Sequence, residues 1–140
     1  RIKQHSSNAL YLSKKFTQDG IKTFYPGIPT HSQHKLMKRM FNDEFGYCGM
    51  LVIDVKTKEN AFALMEAMQN EKVGYLAVSL GFYKTLFSAP GTSTSSEIPE
   101  EEQHKMGLSP GMVRISIGID NDIERTYTKI KKCMKELNIL

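Results

Sequence analysis

The 140-residue sequence predicts an α/β protein of two layers. The arrangement is α+β, a sheet of about four mostly antiparallel strands with helices packed chiefly on one face. Three observations predict it. Apolar side chains recur at helical spacing near the start, in the middle and at the end of the chain. Short β-branched runs, at 50–55 and 112–119, lie between those segments. Glycine and proline clusters at 26–29, 46–49, 90–91 and 107–111 punctuate the joins.

Taken in order, residues 1–18 read as an amphipathic helix through Ile2, Ala9, Leu12 and Phe16, stopped by Asp19-Gly20. An extended segment at 21–25 ends at Pro26-Gly27. Thr30 is placed to cap a helix over 33–41. Met50-Leu51-Val52-Ile53-Asp54-Val55 is nearly all apolar, as in a strand covered on both faces. Residues 56–70 return to helical spacing through Ala61, Leu64, Met65 and Met68. A strand at 75–80 follows, then a short turn or helix around 82–87 and a loop of small and hydroxylated residues at 88–96. Glu100, Glu101 and Glu102 favour the positive end of a helix dipole within 97–106. After Pro110-Gly111 comes the strand 112–119. Asp120 or Asn121 then caps a last helix striped by Ile123, Tyr127, Ile130, Met134 and Leu137.

The length fits one domain with a real core, residues 1–140. With 40% hydrophobic and 24% charged residues the composition is that of a globular protein. No apolar run reaches the roughly 18 residues that span a bilayer, so no membrane partner is expected. The net charge of +4 comes from lysines spread over helix faces without interleaved aromatics, which reads as solvated surface rather than a nucleic-acid footprint. Cys48 and Cys133 are far apart and outside any C-x-x-C pair, which predicts reduced thiols and a cytoplasmic location. The first residue, Arg1, already lies in helical pattern, which reads as a fragment or processed product.

Chemistry-bearing candidates are few. In Val113-Arg114-Ile115-Ser116-Ile117-Gly118 the odd positions are β-branched, so Arg114 points to the opposite face beside small residues that leave room for a ligand carboxylate or phosphate. The same spacing suits an arginine on the solvent face of a half-exposed sheet. Ser79 stands where a strand gives way to a glycine turn, a common place for anion-binding amides and hydroxyls. The loop 91–96 either lines a pocket or is plain surface. His31 and His34 lack a third ligand, so no metal is expected, and His5 and His104 read as surface residues.

These residues also carry a likeness. The succession Tyr25-Pro26-Gly27-Ile28-Pro29-Thr30-His31-Ser32-Gln33-His34, then Gly49-Met50, Ala77-Val78-Ser79-Leu80-Gly81 and Val113-Arg114-Ile115-Ser116-Ile117-Gly118 resembles the C-terminal domain of the cystathionine γ-synthase and methionine γ-lyase family. These are pyridoxal-phosphate enzymes of Cys/Met metabolism with the fold-type I architecture. The likeness runs over essentially the whole chain. It implies that Arg114 binds the substrate α-carboxylate with Ser79 assisting, and that Thr94 falls in the family's P-A-x-x-T-H loop near the active site. Gly91 and Ser95 depart from that loop's alanine and histidine, and 46–49 departs from the commoner G-F-G-G.

Members that handle cystathionine tend to carry a glutamate where this chain has Val78. A valine resembles the methionine γ-lyases, because an apolar side chain cannot pair an ammonium. The resemblance therefore implies methionine cleaved to methanethiol, ammonia and 2-oxobutanoate. Cystathionine γ-lyase or γ-synthase and O-acetylhomoserine sulfhydrylase activities remain alternatives, as does a non-enzymatic α/β module binding an acidic metabolite. It further implies pyridoxal 5'-phosphate held by a larger domain absent from this chain, with the cofactor lysine upstream. It also implies a homotetramer, and no catalytic residue or activity in this stretch alone.

Overall fold

The computed structural model describes residues 1–93 and 95–140. Among the described residues five helices and five strands alternate irregularly: α1 (Ile2–Gln18), β1 (Lys22–Phe24), α2 (His34–Met40), β2 (Met50–Asp54), α3 (Lys58–Asn70), β3 (Gly74–Leu76), β4 (Thr85–Ser88), α4 (Glu100–Lys105), β5 (Met112–Ser116) and α5 (Ile123–Glu136). The strands form one sheet in the order β1-β2-β5-β4-β3. Three pairings are antiparallel and β3–β4 is parallel.

The core lies between one face of this sheet and three helices. Leu51, Ile53, Phe87, Val113, Ile115 and Ile117 meet Ala9, Leu12 and Phe16 of α1, Ala61, Leu64, Met65 and Met68 of α3, and Ile130, Cys133 and Met134 of α5. These are the residues that helical and strand periodicity single out, since burying such side chains supplies most of the driving force. The short helices α2 and α4 bury none of their residues. Among the described residues no helix is long and apolar enough to cross a membrane.

The sheet has one strand more than the composition of β-branched runs predicts. The segment expected as a turn or helix near 82–87 contains β4, whose four residues are all buried. Conversely the strand expected over 75–80 stops at Leu76. Its edge amide Leu76 N donates to Gln69 Oε1, Ala77 N donates to Phe87 O, and the chain then leaves the sheet. A parallel pair of neighbouring strands needs a crossover. Here residues 77–84 make that crossover without a helix.

Helix ends also differ from expectation. Thr30 caps nothing: Gln33 is the N-cap of α2 and offers no side-chain bond. Asp122, rather than Asp120 or Asn121, caps α5 by accepting Arg125 N at 3.1 Å. Asp120 serves one step out, accepting Asp122 N and the Thr126 hydroxyl. His5, expected at the surface, is 4% exposed. Its Nδ1 donates to Ile117 O at 2.6 Å, while Asn8 Nδ2 donates to Gly118 O and Asp120 O. These carbonyls follow the last residue of β5, where the ladder ends, and α1 supplies the partners the sheet no longer gives.

The end of α1 is pinned to the body of α5 by Asp19, the C-cap of α1, which accepts from Tyr127 and from Lys131 Nζ. Partial burial pushes the Asp19 carboxyl up, but hydrogen bonds from Lys131 and Tyr127 outweigh this and hold it below its ordinary 3.8. A depressed carboxylate stabilises the fold above its unfolded pKa and ceases to as pH falls through the folded one. Asp19→Asn should therefore lower the urea midpoint at pH 7, and the gap to wild type should close as the pH falls below about 3.8. A gap that is constant from pH 7 to pH 3 would remove the ion pair from the account.

Candidate functional site

β5 is the central strand, and its two faces do different work. Val113, Ile115 and Ile117 are fully buried against the helices. Arg114 and Ser116 point to the other side, with Val52 of β2 and Ser88 of β4 directly opposite Arg114 in the ladder. Strand alternation thus sets the guanidinium on a rigid platform, its neighbours fixed by register.

The crossover 77–84 is what meets it. Arg114 Nη2 donates to Val78 O at 2.8 Å and to Ser79 O at 3.2 Å. Both acceptors are neutral carbonyls, so they orient the guanidinium without cancelling its charge. Among the described residues no aspartate or glutamate pairs with Arg114. Its Nε is buried and has no partner among the described residues, and neither does the buried Oγ of Ser88, its cross-strand neighbour. A half-buried cation with donors unused is an arrangement that a carboxylate or phosphate completes, because leaving such groups unpaired is costly.

Ser79 and the Val78 side chain are exposed on the same crossover, beside the guanidinium that their carbonyls hold. Thr94 lies outside the described residues. The loop around it is organised by a residue that periodicity does not reveal: Gln103 Nε2 donates to Gly91 O, Ser95 O and Ile98 O at 3.3, 3.2 and 2.7 Å. Gly91 has φ +86°, and a Cβ there would strike the Gln103 side-chain amide. Glycine at this position is thus tied to Gln103.

Ser116 and Gly118 do not leave ligand space. Ser116 is buried because its Oγ accepts Gly81 N at 3.0 Å. A Cβ on Gly118 would lie 2.5 Å from Tyr83 O and 2.6 Å from Lys84 C, and Gly118 N donates to Thr85 Oγ1. The small residues make room for the crossover itself. A local sequence pattern shows that space exists, not what fills it.

Lys84, Lys131 and Lys132 have their pKa values displaced upward, each chiefly by a hydrogen bond that its ammonium donates, to Tyr75, Asp19 and Glu71 respectively. Among the described residues no three His, Cys, Asp or Glu side chains gather as metal ligands.

Comparison with known proteins decides the family. Residues 1–134 match the family described as Cys/Met metabolism PLP-dependent enzyme. This chain belongs to that family. It is 44% identical over 133 residues to methionine gamma-lyase of Arabidopsis thaliana, covering 94% of this chain and 30% of that protein. It is 34% identical over 125 residues to cystathionine gamma-lyase of Dictyostelium discoideum, covering 86% of this chain and 30% of the relative. Its fold superposes with TM-score 0.86 on a crystal structure of an O-acetylhomoserine (thiol)-lyase from Campylobacter jejuni that carries a pyridoxyl-lysine phosphate. Identity there is 29%, over 96% of this chain and 31% of that one. The chain spans about a third of the length of these relatives.

Because backbone atoms of 83–85 leave no space at Gly118, Gly118→Ala should displace the start of β4. The expected loss is about 2–3 kcal/mol by chemical denaturation, in the range of overpacking. Unchanged stability would show that the crossover yields freely.

Proposed function

We propose that this chain is the C-terminal, substrate-binding domain of a pyridoxal-phosphate-dependent lyase of sulfur amino acids, with methionine the preferred substrate. The observation that carries the reading is Arg114, a rigidly held, half-buried cation with no acidic partner among the described residues and a buried Nε donor without a partner. Family membership supplies the chemistry into which an α-carboxylate receptor fits.

In this reading the cofactor, held by the larger part of the enzyme beyond this chain, provides the electron sink for breaking the carbon–sulfur bond. The work of this chain is binding and orientation. Arg114 takes the α-carboxylate, and the Ser79 hydroxyl adds a second contact on the same group. Fixing the carboxylate sets the direction of the Cα–H bond and removes rotational freedom before reaction. The family resemblance adds Thr94, which lies outside the described residues, to the substrate contacts.

Docking to that larger part is supported by the cleft of about 450 Å³ beside the crossover, lined by Ile2, Phe41, Phe45 and Leu80 together with His5 and Met50. Each of those first four side chains is 42–60% exposed, an apolar face of the kind that interfaces cover. A cytoplasmic homotetramer completes the proposal.

Methionine, rather than the cystathionine or O-acetylhomoserine of other relatives, is favoured by Val78. Its exposed valyl side chain meets an uncharged thioether at no cost, whereas the distal ammonium of cystathionine would lose water there without a partner. In the full-length enzyme Arg114→Ala should lower kcat/KM for methionine by about 30- to 1000-fold, the loss of a charge-assisted pair worth about 2–4 kcal/mol. An unchanged kcat/KM would refute the clamp. Val78→Glu should shift the ratio of kcat/KM values toward cystathionine by about tenfold or more, and a ratio that stays put would take substrate choice away from this position.

A further inference from the structure

The crossover 77–84 is long, irregular and weakly held by its own backbone. Ala77 N and Tyr83 O bond to the neighbouring chain at its two ends, to Phe87 O and Ile119 N. Between them, residues 78–82 make no backbone–backbone hydrogen bond among the described residues. What fixes them is a row of side chains. Arg114 Nη2 takes the carbonyls of Val78 and Ser79, Ser116 Oγ takes the amide of Gly81, and Arg1 Nη2 donates to Gly81 O at 2.6 Å.

Of these contacts the one from Ser116 is the most buried and the least replaceable. Ser116 is 4% exposed, and its register opposite Met50 and Leu86 in the middle of the sheet fixes the backbone that carries its hydroxyl. Gly81 adopts φ +70° and lies in a bend, and its amide is the one Ser116 accepts. The turn follows directly on Val78 and Ser79.

We propose that Ser116 is a positioning residue for the substrate site: its hydroxyl latches the turn at Gly81 and so sets where Ser79 and Val78 stand relative to Arg114. The inference rests on the carboxylate-clamp reading of Arg114 and adds to it. Arg114 and Ser116 are two residues apart on one strand face, and the segments they hold are two to three residues apart on the crossover. The crossover therefore runs alongside β5, and both anchors must hold for the spacing between guanidinium and Ser79 to be kept. Removing the hydroxyl leaves the Gly81 amide without its acceptor and gives the crossover freedom that substrate binding must then take away.

The test uses the full-length, cofactor-loaded enzyme with Ser116→Ala and, in parallel, Arg114→Ala. Hydrogen exchange read by mass spectrometry should show peptides covering 78–82 exchanging about three- to tenfold faster in Ser116→Ala, with the core strands unchanged. The KM for methionine should rise about three- to thirtyfold while kcat changes by less than about threefold. Unchanged exchange at 78–82 would overturn the latch. Faster exchange with an unchanged KM would overturn its role in the site, leaving Ser116 purely structural. If Arg114→Ala also leaves every kinetic constant unchanged, it is the clamp reading that fails, and the exchange result still reports on the latch by itself.

Discussion

β3 and β4 are neighbours, parallel and consecutive, and that combination dictates much of the rest. A chain leaving the end of one strand must return to the start of the next, and in most α/β units a helix covers the return. Residues 77–84 make it bare. With α1, α3 and α5 occupying one face of the sheet, the return passes over the other, directly along β5. The candidate site lies where this unsupported length of backbone is pinned. The residues that pin it, Arg114 and Ser116, are the polar members of a strand whose other members are locked in the core.

The same economy appears at the end of β5. Beyond Ser116 the ladder thins, and the carbonyls of Ile117, Gly118 and Asp120 are taken by His5 and Asn8 from α1. His5 Nδ1 carries the proton it donates to the Ile117 carbonyl, and its Nε2 is buried with no partner among the described residues. Gly49 belongs to this arrangement, since a Cβ there would lie 2.8 Å from the His5 Cβ. Tyr25 does comparable work nearby, its hydroxyl donating to Cys48 O at 2.8 Å while its ring fills the space where Gly27 lacks a side chain. The short motifs Tyr25-Pro26-Gly27 and Gly49-Met50, which carry much of the family likeness, thus have packing reasons in this fold.

What was legible in the sequence follows from the range of the interaction that fixes it. The alternation through 113–117 and the stripe on α5 are local, and both are found where periodicity places them. β4 was hidden because four residues are too few to show a period, and its place in the sheet depends on pairing with β5 some 28 positions later. The burial of His5 depends on a carbonyl 112 residues away. Ser116 and Gly118 were read as leaving room for a ligand, but the crossover occupies that space, and nothing within five residues of either names it. Gln103 looks like any polar residue of a short helix until the three carbonyls it gathers are seen in space.

If Arg114 is the carboxylate receptor proposed above, these relations bear on how one such receptor can serve several substrates. Every amino acid brings an α-carboxylate, so a guanidinium at Arg114 does not by itself tell methionine from cystathionine or O-acetylhomoserine, the substrates in the relatives' names. Discrimination has to come from groups farther along the substrate. Under the proposed reading Val78 is such a group, and its own carbonyl is one of the two that hold Arg114. Shared recognition and selective recognition are therefore joined through a single peptide unit. A substitution that changes the Val78 side chain alone leaves that carbonyl in place, whereas one that moves the crossover backbone disturbs both at once. Selectivity can thus vary at the side chain while the carboxylate contact is kept, provided the turn at Gly81 stays anchored to β5.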